Sequence, residues 1–421
     1  MQIPFLLYLR KQKIGFLIFI LFVVAFCVLN AFDGYDFNVY LYTARRLRNF
    51  ENIYQPPFLK GLQYYYSVFF ALVLIPFSYF PPIIPKIIWA LLLAFWLYRV
   101  WQLSMAYFTI SILSEKAKKY WTILAFFLIV RFIMYNFPML QLTIFLLWAT
   151  LEGLRLFRED KFIKGGILLG LAINIKLLPA LFLPYLLYRK ELRGFFITIL
   201  TFIVLLYLPG LFLGIKFNQY LLSEWWQIIN PSNSEHTIET DLSAHSLTSL
   251  IPVYLTNAPG QLPIKRNFLD LSYNNTLLVL NISRIFFVLL TLVFLRTLPF
   301  KKNVSVLKDY WEYTYLFICT PLLFPHQQKY AYIYLFPAII YLLYYFIVHF
   351  QFQKSKEIYF PLGIFILASL FFTPIIGSDI IGRYFYDVLQ HFRILTIATI
   401  LLIPVLLMCP PSKVELLTKN Q

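Results

Sequence analysis

Residues 13–40 read KIGFLIFILFVVAFCVLNAFDGYDFNVY. An almost unbroken apolar run extends from Ile14 to Phe32, and Asp33 and Asp36 stand directly beyond it. As a helix rising about 1.5 Å per residue, such a run spans the roughly 30 Å hydrocarbon core of a bilayer. The two acids therefore fall at a membrane–water boundary. A carboxylate there can stay ionised while facing a reactant held in the lipid, which is the position of a base acting on a membrane-bound molecule. Arg10, Lys11 and Lys13 set the start of the run in the cytoplasm. The pattern resembles a signal peptide, but no small-residue cleavage site follows, so the segment reads as a retained first span.

Working outward, the same character fills the 421 residues: 60% are hydrophobic, 13% are charged, and the mean hydropathy is +0.72. A soluble domain carries about a quarter charged residues. Only helices or closed barrels satisfy the backbone in lipid, and the runs here are too long and too continuous for alternating barrel strands. The fold class is all-α, a polytopic integral membrane protein of about ten to twelve transmembrane helices. The net charge of +17 resides mostly in short basic loops. It therefore reads as orientation by the positive-inside rule, with some contact to lipid phosphates, and not as nucleic-acid binding. Cys27, Cys319 and Cys409 lie in or at the ends of apolar runs without metal-ligand spacing.

The chain reads as one transmembrane domain over residues 1–421, with both termini cytoplasmic and external segments at about 33–63 and 215–275. Tyr40, Ala44 and Leu47 share a helical face, which predicts a short helix lying in the interface. Span two is expected at residues 65–80, stopped by Pro81 and Pro82, and span three from Pro85. Basic clusters at 155–164 and 189–193 both belong in the cytoplasm. The stretch between them therefore reads as two short helices meeting at Lys176, with Pro179 beside it. Residues 136–141 form an external turn. Later spans are expected near 277–297, 311–325, 329–349, 358–376 and 391–408. The loops at 296–308 and 354–356 are internal, and those at 325–328 and 377–391 are external. The second external segment holds Glu224, Trp225, Trp226, Glu235, His236, Glu239, Asp241, His245 and Ser246. No soluble domain is expected at either end, and no transporter-type repeat is visible.

By this topology Asp33 and Asp36, His245 and Ser246, and His326 all face the external side. Asp36 reads either as a helix N-cap or as a general base, and Asp33 as a helix-end residue. Arg45, Arg46 and Arg48 read either as snorkelling side chains or as phosphate ligands. Lys176, between Ile175 and Leu177, is costly in an apolar segment and reads as a phosphate cation. His326 reads as an interfacial residue, a hydrogen-bond donor to a sugar or phosphate, or a proton relay. A Gly-rich phosphate loop, an HExxH and an Asp-x-Asp are all absent from the sequence. Nucleotide-driven chemistry is disfavoured, and an activated donor already in the membrane, such as a polyprenyl-phosphate sugar, takes its place.

These residues resemble the GT-C-fold membrane glycosyltransferases, and within them the polyprenyl-phosphate-mannose-dependent α-mannosyltransferases of glycosyltransferase family 87. Asp36, Tyr40, Ala44 and Arg45 are similar to that family's Asp-x-x-x-Tyr stretch after span one. Tyr54, Tyr66, Ser67 and Pro76 resemble its entry to span two. Asn136 and Gln141 match its Asn and Gly-Gln, with Leu140 in place of the Gly. Gly170, Leu171, Ala172, Lys176, Pro179 and Pro184 through Leu187 resemble its Gly-Leu-Ala…Lys…Pro…Pro-Tyr-Leu-Leu stretch. His245, Ser246 and Leu247 resemble its Gln-Ser-Leu, with His245 for Gln. Pro321 and His326 resemble its Pro…Trp-x-His-His, with Phe324 for Trp and Gln327 for the second His. Val68 replaces a Pro.

The resemblance implies inverting transfer of a hexose, mannose first, on the external face of the inner (plasma) membrane. The donor is a polyprenyl-phosphate sugar; the acceptor is a glycolipid or lipid-linked glycan. Asp36 is the implied base and His326 the second catalytic residue. Tyr40, Arg45, Tyr66, Gln141, Lys176, His245 and Ser246 are the implied substrate ligands. No cofactor is expected: a phosphate monoester leaves readily, so a metal is not strictly required. Two other classes stay open, a lipid-linked saccharide transporter or flippase and an O-antigen polymerase or ligase. The first would show repeated halves and mid-bilayer charge. The second would use late-loop Arg and His.

Overall fold

The computed structural model describes residues 13–230, 233, 238–239, 241–353 and 356–419. Arg10, Lys11, Glu235, His236 and Lys354, which entered the sequence reading, lie outside the described residues. The described secondary structure is helical throughout, with short 3₁₀ turns between the α-helices. The chain separates into two compact units, one of residues 1–106 and 134–233, the other of residues 107–133 and 234–421.

The first unit opens with α1 (Lys13–Asp33), followed after Gly34 by α2 (Tyr35–Arg48). Then come α3 (Val68–Leu74) and α4 (Ile83–Met105). The long α5 (Glu115–Met139) carries the division between the units, because its last residues from Met134 belong to the first. The first unit continues with α6 (Thr143–Arg158), α7 (Phe162–Ile175), α8 (Phe182–Tyr188), α9 (Leu192–Tyr207), α10 (Gly210–Leu213) and α11 (Ile215–Ile229). The second unit holds α12 (Leu247–Leu255), α13 (Tyr273–Leu295), α14 (Val306–Leu323), α15 (Phe336–Phe352) and α16 (Tyr359–Leu370). It ends with α17 (Ser378–Ile381), α18 (Arg383–His391), α19 (Ile394–Met408) and α20 (Pro411–Lys419).

Among the described residues seven helical stretches are long and apolar enough to cross a membrane, or eight if α18 and α19, bent by 58°, form one span. They cover the runs expected near 14–32, from 85, 277–297, 329–349, 358–376 and 391–408. On α1, Ile14, Leu17, Ile18, Leu21, Phe22, Leu29 and Phe32 are all exposed. Such a surface suits lipid, where apolar side chains need no burial in protein. The protein is thus a polytopic all-α membrane protein. Two stretches fall short of the expectation. Residues 65–80 form only the seven-residue α3 and a 3₁₀ turn at Pro76–Tyr79, because Ser67 caps the helix at one end and Pro76 ends it at the other. Residues 311–323 of the expected span lie in α14, whose Asp309 and Glu312 keep its first turns polar.

In the first unit α7 packs on both α6 and α9. The approach is close because small residues line α7. A Cβ on Gly166 would lie 2.5 Å from Ile197 Cγ2, and one on Gly170 would lie 2.7 Å from the Thr198 carbonyl oxygen. Small residues permit this backbone proximity where lipid supplies no hydrophobic drive between helices. In the second unit the stretch Lys329–Phe352 is the core, with 94% of its apolar window buried. Aromatic polar tips find partners there: Trp311 Nε1 donates to the Leu406 carbonyl at 3.0 Å, and Tyr341 Oη to the Cys409 carbonyl at 2.7 Å. All three cysteines are buried thiols.

Candidate functional site

Asp36 owes its position to a tight junction between α1 and α2. Gly34 sits between the two helices at φ 54° and ψ 45°, a left-handed conformation that glycine adopts without strain. The Lys86 side chain lies beneath it, and Lys86 Nζ donates to the carbonyl of Asp33 at 3.2 Å. That bond satisfies one of the orphan carbonyls at the end of α1. Asp33 is the last residue of α1, as a helix-end reading expects. Asp36, by contrast, is not a cap. It lies in the first turn of α2, and its carboxylate accepts a hydrogen bond from Gln141 Nε2.

Gln141 is held from its other side. Its Oε1 accepts from the backbone N–H of Leu142 at 3.1 Å and lies 3.4 Å from the hydroxyl of Tyr66. Tyr40 Oη in turn donates to Tyr66 Oη at 2.8 Å. With the amide oxygen committed to these donors, the amide nitrogen has one direction left, toward Asp36. The turn that presents Gln141 runs through Leu140, which adopts φ 51°. This left-handed position favours glycine, so the Leu standing where the resembled family has Gly occupies a costlier conformation. Trp89 Nε1 bonds the Leu140 carbonyl at 3.0 Å and helps hold it.

Lys176 joins the same cluster. The chain leaves α7 at Ile175, turns extended at Lys176 (φ −150°, ψ 128°), and re-enters a helical turn at Leu178–Leu181 before α8. The break falls where two short helices were expected to meet. Ser67 ties this end of α7 to Tyr66: its hydroxyl donates to Asn174 Oδ1 at 3.0 Å. Lys176 Nζ lies 5.3 Å from the centre of the Tyr66 ring. Burial pushes the Asp36 carboxyl up to about 6, while the Lys176 charge and the Gln141 hydrogen bond oppose the rise. A carboxylate titrating near neutrality beside a fixed amide and a cation can accept a proton from a hydroxyl.

Arg45 is not part of this group. It stands nine residues beyond Asp36, which at about 100° per residue is the opposite face of α2. There it lines a separate cavity with Asn38, Tyr42 and Lys60. The geometry reassigns it away from Asp36. Arg46 is structural: it pairs with Glu51 at 2.9 Å and donates to the carbonyls of Gln55 and Pro57. Arg48 lies 4.5 Å from the centre of the Tyr79 ring.

The remaining candidates lie in the second unit, around Glu239 of the second external segment. Glu239 accepts from His326 twice, from Nδ1 at 2.6 Å and from the backbone N–H at 2.7 Å. It also accepts from the hydroxyls of Thr248 and Ser246, the latter at 3.1 Å. Burial alone would push this carboxyl up; the bonds and charge of His326, with Thr248, outweigh it and hold Glu239 below the usual carboxylate range. His326 is half-buried and adopts φ 55°, a strained conformation that the bonds to Glu239 maintain. Ser246 is thus turned onto Glu239. His245 is wholly buried; its N–H donates to the Gln327 carbonyl at 2.7 Å, and its own carbonyl accepts from Tyr332. Burial, then the charges of Lys329 and Arg393, push its imidazole well below the ordinary value, so it is neutral. The Ser246 hydroxyl is engaged by Glu239, whereas the bonds that hold His245 are made by its backbone. No sequence signal pairs Glu239 with His326, since 87 positions separate them.

A model of glycosyltransferase family 87 matches residues 64–305, more than half of the chain. The match takes in Tyr66, Gln141, Lys176, Glu239, His245 and Ser246, and leaves Asp36, Tyr40, Arg45 and His326 outside it. No curated protein and no solved structure matches the chain. With its set of membrane-length helices and this match, the chain belongs to glycosyltransferase family 87 and is a membrane glycosyltransferase.

Proposed function

We propose that the protein is a GT-C-type inverting transferase that moves a hexose, mannose first, from a polyprenyl-phosphate donor to a lipid-linked or glycan acceptor. The observation that carries this reading is Asp36. Its carboxylate lies just beyond a membrane-length helix, is fixed by Gln141 and feels the charge of Lys176. In the proposed step the acceptor oxygen forms a bond to the anomeric carbon and gives its proton to Asp36. The bond from that carbon to the phosphate oxygen breaks on the opposite face, and the lipid phosphate leaves with the electron pair. Lys176 stabilises the departing charge. His326, oriented by Glu239, hydrogen-bonds a phosphate or sugar oxygen. The donor lies in the plasma membrane with its sugar on the external face, and both termini are cytoplasmic.

The test is transfer by the purified, lipid-reconstituted protein, given a panel of radiolabelled polyprenyl-phosphate sugars and lipid acceptors. Mannose transfer that disappears in Asp36→Asn, with donor binding retained, is the expected result. Transfer from no lipid-phosphate sugar in the panel would overturn the donor class, and unaltered turnover in Asp36→Asn would remove Asp36 from the base role.

A further inference from the structure

The face of α2 turned away from Asp36 borders a cavity of about 270 Å³ lined by Tyr35, Asn38, Tyr42, Arg45, Lys60 and Pro82, with Val39, Leu41, Leu59 and Leu62 as apolar wall. Its charge is one-signed. Two cations line it and no carboxylate does. The Arg45 guanidinium has no hydrogen-bond or ion-pair partner among the described residues, unlike neighbouring Arg46, which has three. Lys60 takes φ 52° within the turn Leu59–Gly61, a left-handed conformation uncommon for a lysine. Its Nζ lies 5.9 Å from the centre of the Tyr35 ring. The polar groups beside them are already engaged: Asn38 donates to the Asp33 carbonyl and Tyr42 to the Pro57 carbonyl, each at 3.3 Å.

The level of the cavity is set by two membrane-length helices. Tyr35 follows the end of α1 at Asp33, and Pro82 precedes the start of α4 at Ile83. Both spans end at its rim, at the depth of lipid headgroups. An unpartnered guanidinium and an ammonium over an apolar wall at that depth match a phosphate attached to an apolar tail. We propose that this cavity binds the phosphate headgroup of an anionic membrane phospholipid, at a site on α2 separate from the Asp36 cluster.

The experiment uses the delipidated full chain titrated with phosphatidylglycerol or phosphatidylcholine, with bound lipid counted by native mass spectrometry. Its readout is lipid occupancy, so it stands or falls independently of the transfer reaction. Wild type should bind phosphatidylglycerol in preference. Each cation near a lipid phosphate contributes about fivefold in affinity, so Arg45→Gln with Lys60→Gln should weaken binding by roughly 25-fold. Arg48→Gln, which stacks on Tyr79 outside the cavity, should leave it unchanged. Equal retention of the two lipids by wild type, or equal phosphatidylglycerol binding by wild type and the double variant, would overturn the proposal. So would displacement of phosphatidylglycerol by stoichiometric polyprenyl phosphate or by millimolar inorganic phosphate, which would name a different source of the phosphate. Should the double variant lose its melting transition, single Arg45→Gln is read instead, with about a fivefold loss expected and no loss overturning the site.

Discussion

Asp36 titrates near 6, and the proposed base must be deprotonated to work. As pH falls through that value the carboxylate takes up a proton and the base is lost. Transfer measured as kcat/KM should therefore fall on the acid side of about 6. Asp36→Asn should lower kcat by about 10²–10⁴-fold, the usual worth of a positioned base. Gln141 and Lys176 both favour the ionised carboxylate, so Gln141→Leu and Lys176→Met should each move the acid limb to higher pH. Lys176→Met should move it further, because the charge has the larger effect. A limb that stays in place in both variants would separate the two residues from Asp36. Asp36 and Lys176 were legible in the sequence as charged groups beside or within apolar runs, and Tyr40, Tyr66 and Gln141 were marked by the family resemblance. Their hydrogen bonding was not. Nothing in the sequence says that the Gln141 oxygen is taken by Leu142 N–H and the tyrosine hydroxyls, which is what directs its nitrogen to Asp36.

Between elements, the placement of Lys176 depends on α7 lying close against α9. A methyl group on Gly170 would sit 2.7 Å from the Thr198 carbonyl oxygen and from Thr201 Cβ. Gly170→Ala should destabilise the protein by about 1–3 kcal/mol, the usual cost of overpacking, read as a lower melting temperature in detergent. The break at Lys176 was legible because basic clusters on either side demanded it and Pro179 favours it. The shortening of span two was not, because residues 65–80 are apolar enough to suggest a longer helix. The structure ends that helix with a Ser67 cap and Pro76, and the segment instead supplies Tyr66 to the cluster. In the second unit, Glu239→Gln keeps the shape of the side chain but removes the charge that orients His326. It should lower transfer while Thr248→Val, which deletes a single donor to Glu239, lowers it less. Glu239→Asp restoring part of the activity would mark a positioning role.

At the scale of the molecule, the native cysteines are all buried, so new ones report topology cleanly. In intact cells Asn257→Cys should react with a membrane-impermeant thiol reagent and Lys302→Cys should not. The reverse pattern would invert the proposed orientation. The sequence by itself determined the class of this protein. Long apolar runs can satisfy their backbones in lipid only as helices, and that constraint is local, so it can be read along the chain. It also marked the boundary acid, for the same reason: an ionisable group beside such a run has few places to lie.

Tertiary structure alone decided which of the marked groups share a site. Asp36 and Arg45 are near neighbours in sequence, yet helical geometry turns them to opposite faces of α2, one onto Gln141 and the other onto a cavity with Lys60. Glu239 and His326 are 87 positions apart, yet their side chains are bonded. Partnership between polar groups depends on which faces the helices bury against one another. That is fixed by packing over the whole of each unit, not by spacing along the chain.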